Sequence, residues 1–408
     1  MSNSIAENLR SMMPDLVELR HALHQEPEIG LDLPKTQAKV VSALGGTKLE
    51  ISTGERLSSV MGLLRGARPG PTVLLRGDMD ALPVQELVDV DFRSRHDGVM
   101  HACGHDLHTS MLVGAAHALS AQQQDLAGNV VFMFQPGEEG FDGAGHMIEE
   151  GIMNLSGETP AAAFALHVMS AKWPQGVFTS RSGPMMAASD ELAVTVKGAG
   201  GHGSAPHLAK DPVLAACEMA IALQTYLTRS IDAFETVVIT IGSFHAGTRR
   251  NIIPEYARFE ATVRTFNPAV RAKVASEAVR VCEGIARAHG LEVDARFNGE
   301  YPVTVNTGAE VDFASEVVSG IFGHDRFALM DNPVTGAEDF SRVLNLVPGA
   351  MLFLGATSAG DGYETSPNNH SPYASFDDAV IYDGAALYSE LARTRLLAAS
   401  TTGVGGAQ

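Results

Sequence analysis

The chain has 408 residues, of which 45% are hydrophobic and 19% are charged. This composition is typical of a globular protein, and a chain of this length usually folds as more than one domain. The formal net charge of −19 argues against nucleic acid or an anionic membrane as a partner. Three Cys residues are too few for a disulfide framework, and no signal-peptide pattern follows Met1, so we expect a cytoplasmic protein.

The N-terminal half of the chain alternates between helical and strand patterns, as the layers of an α/β domain do. Residues 5–25 have the apolar spacing of a helix, and residues 72–83 are an apolar run that ends in Asp78 and Asp80. Residues 100–119 lead into an Ala-rich helix. The start of this segment holds residues that can bind a metal: His101, Cys103, His105, Asp106 and His108.

Two further apolar runs also lead to polar residues. Residues 130–134 are followed by Gln-Pro-Gly and then by Glu138 and Glu139, and residues 161–170 carry His167 at or just beyond the strand end. A short apolar run of this kind is typical of a strand buried on both faces of a parallel sheet, and ligands bind at the carboxyl edge of such sheets. In extended backbone the two Glu side chains would point in different directions, so one can bind metal while the other faces substrate.

Together these side chains form a ligand set that suits zinc-class transition metals better than Ca or Mg. Cys103 fits this set because three His residues surround it and Gly104 favours a loop ahead of the helix. Cys217 and Cys282 lie in apolar helical patterns, and we expect them to be core thiols. A cysteine amidase with Cys103 as nucleophile is an alternative, but it leaves the other candidate ligands without a role.

The pattern changes near residue 190. From residue 191 to residue 297, strands and helices are predicted in the order βαββαβ, which is typical of a ferredoxin-like module. Residues 198–203 (GAGGHG) match a nucleotide-binding fingerprint, but no acidic residue ends the next strand and Pro206 separates the glycines from the helix. We therefore expect no nucleotide site there.

The last part of the chain returns to the α/β pattern, with a short strand at residues 351–355 and His370 in a polar loop before a final helix. We predict a discontinuous α/β catalytic domain at residues 1–190 and 301–408, with a mainly parallel sheet covered by helices. A ferredoxin-like α+β domain at residues 191–300 is inserted into it. The inserted domain closes on itself as a compact module.

Eight motifs carry a family resemblance, and in chain order they are RGDMDALP, MHACGHDLH, QPGEEG, ALHV, GGHGSAPH, TRRNIIP, TGAEDFS and NNHSP. From about residue 15 to residue 395 the chain resembles the metal-dependent aminoacylase and carboxypeptidase family. The most similar branch is that of the amidohydrolases, which includes hippurate hydrolases and indole-acetyl-amino-acid hydrolases. The resemblance implies a catalytic α/β domain with two divalent metal ions and a smaller lid domain that also serves dimerisation.

The resemblance also implies roles for residues of the catalytic domain. Glu138 resembles the general base that activates a metal-held water, and Asp80 resembles the carboxylate that orients a ligand imidazole. The broader family has a His ligand where this chain has Asp78, so the segment from Cys103 to His105 would supply the missing ligand. Five residues resemble the metal ligands: Cys103, His105, Glu139, His167 and His370.

Further roles are implied for the lid and for a nearby loop. His202 is similar to the lid histidine that reaches a neighbouring subunit's active site and stabilises the oxyanion. Asn251 and Arg264 resemble residues that hold the amide and the carboxylate of the substrate, and Gly336 lies in a loop that contributes backbone contacts. An Arg can bind a carboxylate through two parallel hydrogen bonds, which favours N-acyl amino acids over neutral amides.

We therefore expect an enzyme that hydrolyses the amide bond of small N-acyl amino acids as a homodimer or higher homo-oligomer. A metal-dependent exopeptidase or dipeptidase of the same family is the main alternative. The ligand set accepts Zn, Mn, Co or Ni. The acyl group and the leaving amino acid stay open.

Overall fold

The computed structural model describes residues 3–358 and 362–402, and its residues fall into two compact units. Unit 1 takes the described residues of Met1–Met185, Val305–Asn332 and Arg342–Gln408. Unit 2 consists of Met186–Thr304 and Pro333–Ser341.

The described helices are α1 Asn3–Gln25, α2 Pro34–Ala43, α3 His105–Ala121, α4 Gly143–Glu149, α5 Pro212–Ser230, α6 Pro268–Ala288, α7 Gly308–Phe322, α8 Ser341–Leu344 and α9 Val380–Thr402. The described strands are β1 Glu50–Thr53, β2 Val60–Arg65, β3 Arg68–Asp78, β4 Ala127–Gln135, β5 Ala162–Met169, β6 Phe178–Ser180, β7 Gly183–Met186, β8 Ala188–Lys197, β9 Gly201–His202, β10 Val237–Ala246, β11 Ile252–Ile253, β12 Tyr256–Thr265, β13 Glu292–Tyr301, β14 Thr304–Asn306, β15 Phe327–Leu329 and β16 Gly349–Gly355. None of the described helices has both the length and the apolar character that crossing a membrane requires.

Unit 1 is built on a sheet with the strand order β1-β2-β4-β3-β5-β16-β6-β15. The central strands β4, β3, β5 and β16 pair in parallel, while β1, β2 and β6 add antiparallel pairs. The central strands are buried along most of their length, as the apolar runs predicted. Helices α1, α3 and α9 pack together with them in one apolar core. The predicted mixed α/β fold with a large, mainly parallel sheet is confirmed.

Unit 2 contains an antiparallel sheet with the strand order β10-β12-β8-β13. The chain runs through it as β8, α5, β10, β12, α6 and β13, so its elements follow in the order βαββαβ. Strand β12 alternates between exposed and buried residues, and its buried residues share a core with α5 and α6. Each helix has a capped start, because the side chains of Asp211 and Asn267 accept hydrogen bonds from backbone N–H groups of the first turn. The use of this unit as an inserted lid stays a prediction.

Candidate active site

The candidate site of unit 1 lies where the central parallel strands end. Strand β3 ends at Asp78, β4 ends at Gln135 just before Glu138, and β5 carries His167 two residues before its last residue. The sequence had indicated His167 at or beyond the strand end. Since β3 pairs in parallel with both β4 and β5, their carboxyl ends meet at one edge of the sheet.

Cys103 and His105 reach this edge through a tight turn at Gly104. Gly104 has a φ of +81°, which an L side chain rarely adopts, and a Cβ added there would lie 2.3 Å from Cγ2 of Val168. His105 is the first residue of α3, so Cys103 lies in the loop ahead of the helix, as expected. The glycine is therefore required both for the backbone conformation and for close packing against β5.

The carboxylate of Asp80 binds the backbone of Glu138 and Glu139. The N–H of Glu138 donates to Oδ1 of Asp80 and the N–H of Glu139 donates to Oδ2, each at 3.0 Å. The segment is a turn rather than the extended backbone that the sequence suggested. Two glycines with positive φ, Gly137 at +72° and Gly140 at +86°, allow this turn. The two carboxylates are thus positioned by one buried side chain.

His167 and His370 face the thiol of Cys103. The Nε2 atoms of both rings lie 3.3 Å from Sγ of Cys103, and Nε2 of His370 also lies 3.0 Å from Oε1 of Glu139. The other nitrogen of His167 is paired with the carbonyl oxygen of Val168 at 2.8 Å, so Nδ1 is the donor and Nε2 carries the free lone pair. His370 has a φ of +69°, an unusual conformation for a residue other than glycine and one that is often found at functional sites.

In the part of the chain that the structure describes, five groups of possible ligand atoms lie within 4.8 Å of one another, and three of these groups consist only of predicted ligands and Glu138. These three groups share members, as two adjacent metal sites would, and they include all five predicted ligands together with Glu138. The donors are a thiol, imidazole nitrogens and carboxylate oxygens, the set that zinc-class metals prefer. The three groups are Cys103 with His105 and His167, Cys103 with Glu139 and His370, and His105 with Glu138 and Glu139.

The charges of this cluster fit a cation. Burial disfavours a charged His105, but Asp78 and Asp80 outweigh it and raise the pKa of His105 well above its ordinary value. Hydrogen bonds with Cys103 and Glu139 raise the pKa of His370 to about 10. Both ring nitrogens of His105 are buried without a hydrogen bond of good geometry in the described part of the chain. The surroundings therefore favour positive charge, which a bound metal ion also supplies.

Asp78 and His108 form a pair that sequence reasoning missed. Nδ1 of His108 donates to Oδ1 of Asp78 at 2.5 Å, and Nε2 accepts from the N–H of Val168 at 2.7 Å. The other oxygen of Asp78 accepts from Arg76 at 2.6 Å. Burial would raise the pKa of Asp78, yet Arg76, His105 and His108 hold that pKa well below its ordinary value. Both His108 nitrogens are occupied, so this ring positions the site and is a poor metal ligand.

A second buried network lies behind the first turn of α3. Asp106, the residue after His105, accepts from Nε of Arg20 at 3.0 Å and from Nδ1 of His24 at 2.8 Å. Nε2 of His24 lies 3.1 Å from Oε1 of Glu86. Both nitrogens of His24 thus face carboxylates, and although burial would lower the pKa of His24, Asp106 and Glu86 raise it. This network ties α1 to the start of the helix that carries His105.

The predicted catalytic residue His202 and the three predicted substrate-binding residues belong to unit 2. His202 and Asn251 come together where the short strands β9 and β11 pair, since the N–H of Gly203 donates to the carbonyl oxygen of Asn251 at 2.9 Å. Arg264 lies in β12 and lines a cavity of about 430 Å³. The carbonyl oxygen of Gly336 accepts from the N–H of Ala187 at 2.9 Å.

The sequence profile of peptidase family M20/M25/M40 matches residues 74–394. The chain belongs to this family. Thermostable carboxypeptidase 2 of Saccharolobus solfataricus is 38% identical over 92% of this chain and 94% of that protein. The hippurate hydrolase of Campylobacter jejuni is 36% identical over 94% of this chain and 98% of that protein.

A solved structure of the same M20 family has a closely similar fold. The YXEP protein of Bacillus subtilis, described as a dinuclear metal-binding peptidase, superposes with a TM-score of 0.81 at 30% identity and covers 96% of this chain and 99% of that chain. Together with the family match, this similarity confirms the predicted family and enzyme class, a metal-dependent hydrolase of amide bonds. The roles of individual site residues stay predictions.

Proposed function

We propose that the protein hydrolyses the amide bond that joins an acyl group to the nitrogen of an amino acid. The observation that carries this proposal is the convergence of ligand atoms around Cys103, with Glu138 directly beside them. In the proposal, two divalent metal ions are held by five residues of unit 1: Cys103, His105, Glu139, His167 and His370. The donor set is compatible with Zn, Mn, Co or Ni.

Bound ions of this kind lower the pKa of a water molecule and polarise the substrate carbonyl. Glu138 acts as the general base that takes the proton of the attacking water and passes it to the departing nitrogen. Its side chain is buried, and its backbone is anchored to Asp80, so the carboxylate is held in place before substrate arrives. Asp80 also faces Nδ1 of His105 at 3.4 Å and orients that ring.

In the proposal, residues of unit 2 also contact the substrate. His202 donates a hydrogen bond to the developing oxyanion in the active site of a neighbouring subunit, which requires a homodimer or a higher oligomer. Asn251 holds the substrate amide, Arg264 holds the carboxylate, and the loop of Gly336 adds backbone contacts. Unit 2 has apolar side chains that are more than half exposed and so available for contact with another subunit: Leu208, Leu214, Ile221, Phe234 and Ile252.

A metal-dependent exopeptidase is the second candidate, because a relative with 38% identity is named as a carboxypeptidase. Both candidates use the same metals and the same base. They differ in what precedes the scissile bond, a simple acyl group or a peptide. Parallel assays on both substrate classes separate them.

A cysteine amidase is disfavoured by the surroundings of Cys103. Its thiol lies 3.3 Å from two different imidazoles and belongs to two groups of ligand atoms, whereas a nucleophile needs one general base and an open side. We expect Cys103→Ala to bind less metal per chain than the unaltered protein, measured by elemental analysis after gel filtration. Equal metal content in both proteins would remove Cys103 from the ligand set.

The function is tested by hydrolysis of a panel of N-acyl amino acids, including hippurate, alongside dipeptides and longer peptides. Each substrate is assayed with purified protein as isolated, after thorough chelation, and after adding back Mn or Zn. We expect activity on N-acyl amino acids that is lost on chelation and restored by metal. Activity that survives complete removal of metal would contradict the proposal and return attention to the Cys103 thiol.

A further inference from the structure

The ring of His202 is held by Ser204, two residues further along the chain. The carbonyl oxygen of His202 accepts from the N–H of Ala205 at 2.9 Å, which closes a four-residue turn with Gly203 and Ser204 in its centre. Within this turn two polar groups of Ser204 reach the same ring atom. The backbone N–H lies 3.2 Å from Nδ1 of His202, and the hydroxyl oxygen lies 2.8 Å from it.

These two contacts determine which nitrogen of His202 carries the proton. A hydroxyl can donate or accept, so the contact with Oγ alone leaves the tautomer open. A backbone N–H can only donate, and it points at Nδ1. Nδ1 is therefore the acceptor, and the neutral ring bears its proton on Nε2. Among the residues that the structure describes, no group pairs with Nε2, and the side chain is exposed.

The turn packs closely against the backbone of Asn251 at Gly203. A Cβ added to Gly203 would lie 3.1 Å from the backbone carbon of Asn251 and 3.2 Å from its Cα, closer than a side chain is normally tolerated. Glycine at this position lets the turn pack against Asn251, the residue just before β11, and keeps Ser204 next to the imidazole. The geometry thus depends on three consecutive residues of the GGHGSAPH motif.

We propose that Ser204 is a positioning residue which fixes His202 as the neutral tautomer with its proton on Nε2, so that this N–H is presented as a hydrogen-bond donor. The inference rests on the proposed role of His202 as oxyanion donor. An oxyanion needs a donor that already has its proton and its direction, because a donor that must first change tautomer loses part of its preorganisation. Ser204 does not touch the substrate in this scheme and acts through the ring.

The tautomer can be measured without any activity assay. We would label the histidines with ¹⁵N, load the full chain with Zn, and record ring-nitrogen spectra at a pH of about 8, above the ordinary histidine pKa of about 6.5. The signals of His202 are those that disappear in His202→Ala. We expect the Nδ1 signal to be of the unprotonated type and the Nε2 signal to be of the protonated type. A protonated Nδ1 at this pH would overturn the inference, whatever the enzyme hydrolyses.

A double-mutant cycle measured by enzyme kinetics provides the second test. Ser204→Ala should lower kcat about 2- to 10-fold with little change in KM, the effect of losing one hydrogen bond of ordinary strength. Ser204→Thr, which keeps a hydroxyl, should restore most of the rate, and Ser276→Ala, an exposed serine on α6, is the matched control. In a His202→Ala background, Ser204→Ala should have no further effect. An equal loss in both backgrounds would show that Ser204 acts independently of the ring and would contradict the inference.

The two readouts separate this inference from the proposed function. If His202→Ala leaves kcat unchanged, the oxyanion role is wrong, and the nitrogen spectra still decide the tautomer. If His202→Ala abolishes most of the rate but the spectra report a protonated Nδ1, the catalytic role stands and the positioning role of Ser204 fails.

Discussion

The candidate metal ligands of unit 1 and the candidate donor of unit 2 are held in different ways. In unit 1 the ligands come from distant parts of the chain, Cys103 and His370 being 267 residues apart, and most are buried and fixed by further polar groups. In unit 2 the ring of His202 is exposed and is fixed by a residue only two positions away. One arrangement depends on the tertiary fold, and the other is a local turn.

We therefore expect substitutions in the two units to have different effects. A substitution among the buried groups of unit 1 should disturb metal binding, because each side chain there supports others. A substitution at His202 should change the rate and leave the metal in place. Glu138 is the exception that sharpens the comparison, since it lies in the buried cluster but is proposed to move a proton.

The largest effect is expected for Glu138→Gln. Loss of a general base typically costs about 10²- to 10⁴-fold in rate, and Gln keeps the size of the side chain while losing its basicity. We therefore expect kcat to fall by about that factor while metal content and Tm stay close to those of the unaltered protein. The measurement is kcat together with elemental analysis. An unchanged kcat would contradict the proposed role of Glu138 as general base. A large loss of metal would indicate that Glu138 is a metal ligand.

The next largest effect is expected for His202→Ala, because removal of one oxyanion donor costs about 10²- to 10³-fold in kcat. Metal content should not change, which distinguishes this variant from those of unit 1. His207→Ala is the matched control, since His207 is an exposed histidine of the same segment and has no proposed role. Equal rates for the two variants would remove His202 from the mechanism.

An intermediate effect is expected for Asp80→Ala. Its carboxylate holds the N–H groups of Glu138 and Glu139 and faces the ring of His105, and residues that support metal ligands in this way typically contribute 10- to 100-fold in metal affinity or activity. We expect Zn affinity to fall by about that factor. Asp142→Ala is the control, because Asp142 lies shortly after Glu139 in the chain but pairs with Arg342.

Zn affinity can be followed through the one Trp of the chain. Trp173 stacks on Phe353 with ring centroids 5.2 Å apart, and Phe353 lies 5.9 Å from the ring of His167. Fluorescence titration of chelated protein with Zn should therefore report binding for the unaltered chain and both variants. Equal affinities for Asp80→Ala and the unaltered protein would show that Asp80 does not support the ligands.

The sequence anticipated those parts of the molecule whose signal is local. Buried strands such as β4 were visible as apolar runs, and both long helices of unit 2 were expected in the predicted order βαββαβ. The clustering of ligands at strand ends followed from the rule that parallel strands share a carboxyl edge. The family resemblance supplied the roles of residues that no local pattern could assign.

Pairings between distant residues were out of reach of the sequence. Nothing in the pattern joins His108 to Asp78 across 30 positions or His24 to Asp106 across 82. A usable signal did exist for a buried role of Asp78, because Arg76 lies within an apolar run two residues earlier, and a buried Arg needs an anionic partner. The turn at Glu138 was missed because the neighbouring glycines and the contact with Asp80 override the extended backbone of the preceding strand.

The smallest effect is expected on stability. It tests whether the buried network of His24, Asp106 and Glu86 stabilises unit 1, as the buried polar groups around the metal ligands support one another. Loss of a buried hydrogen-bonded charge costs about 1.5 to 3 kcal/mol. His24→Gln should therefore lower the Tm of unit 1 by roughly 3 to 10 °C at pH 6. His289→Gln is the control, since His289 pairs with Glu218 near the surface and should change Tm little.

The change of Tm with pH tests whether His24 is charged in the folded protein. The pKa of His24 is raised in the folded protein by Asp106 and Glu86, which outweigh the effect of burial. A raised pKa stabilises the fold fully below the unfolded value of about 6.5 and progressively less as pH rises towards the folded value. With metal bound, Tm of the unaltered protein should fall between pH 6 and pH 9 more steeply than Tm of His24→Gln, so the two curves converge at high pH. Parallel curves would mean that folding does not change the pKa of His24, which would contradict a raised pKa in the folded protein.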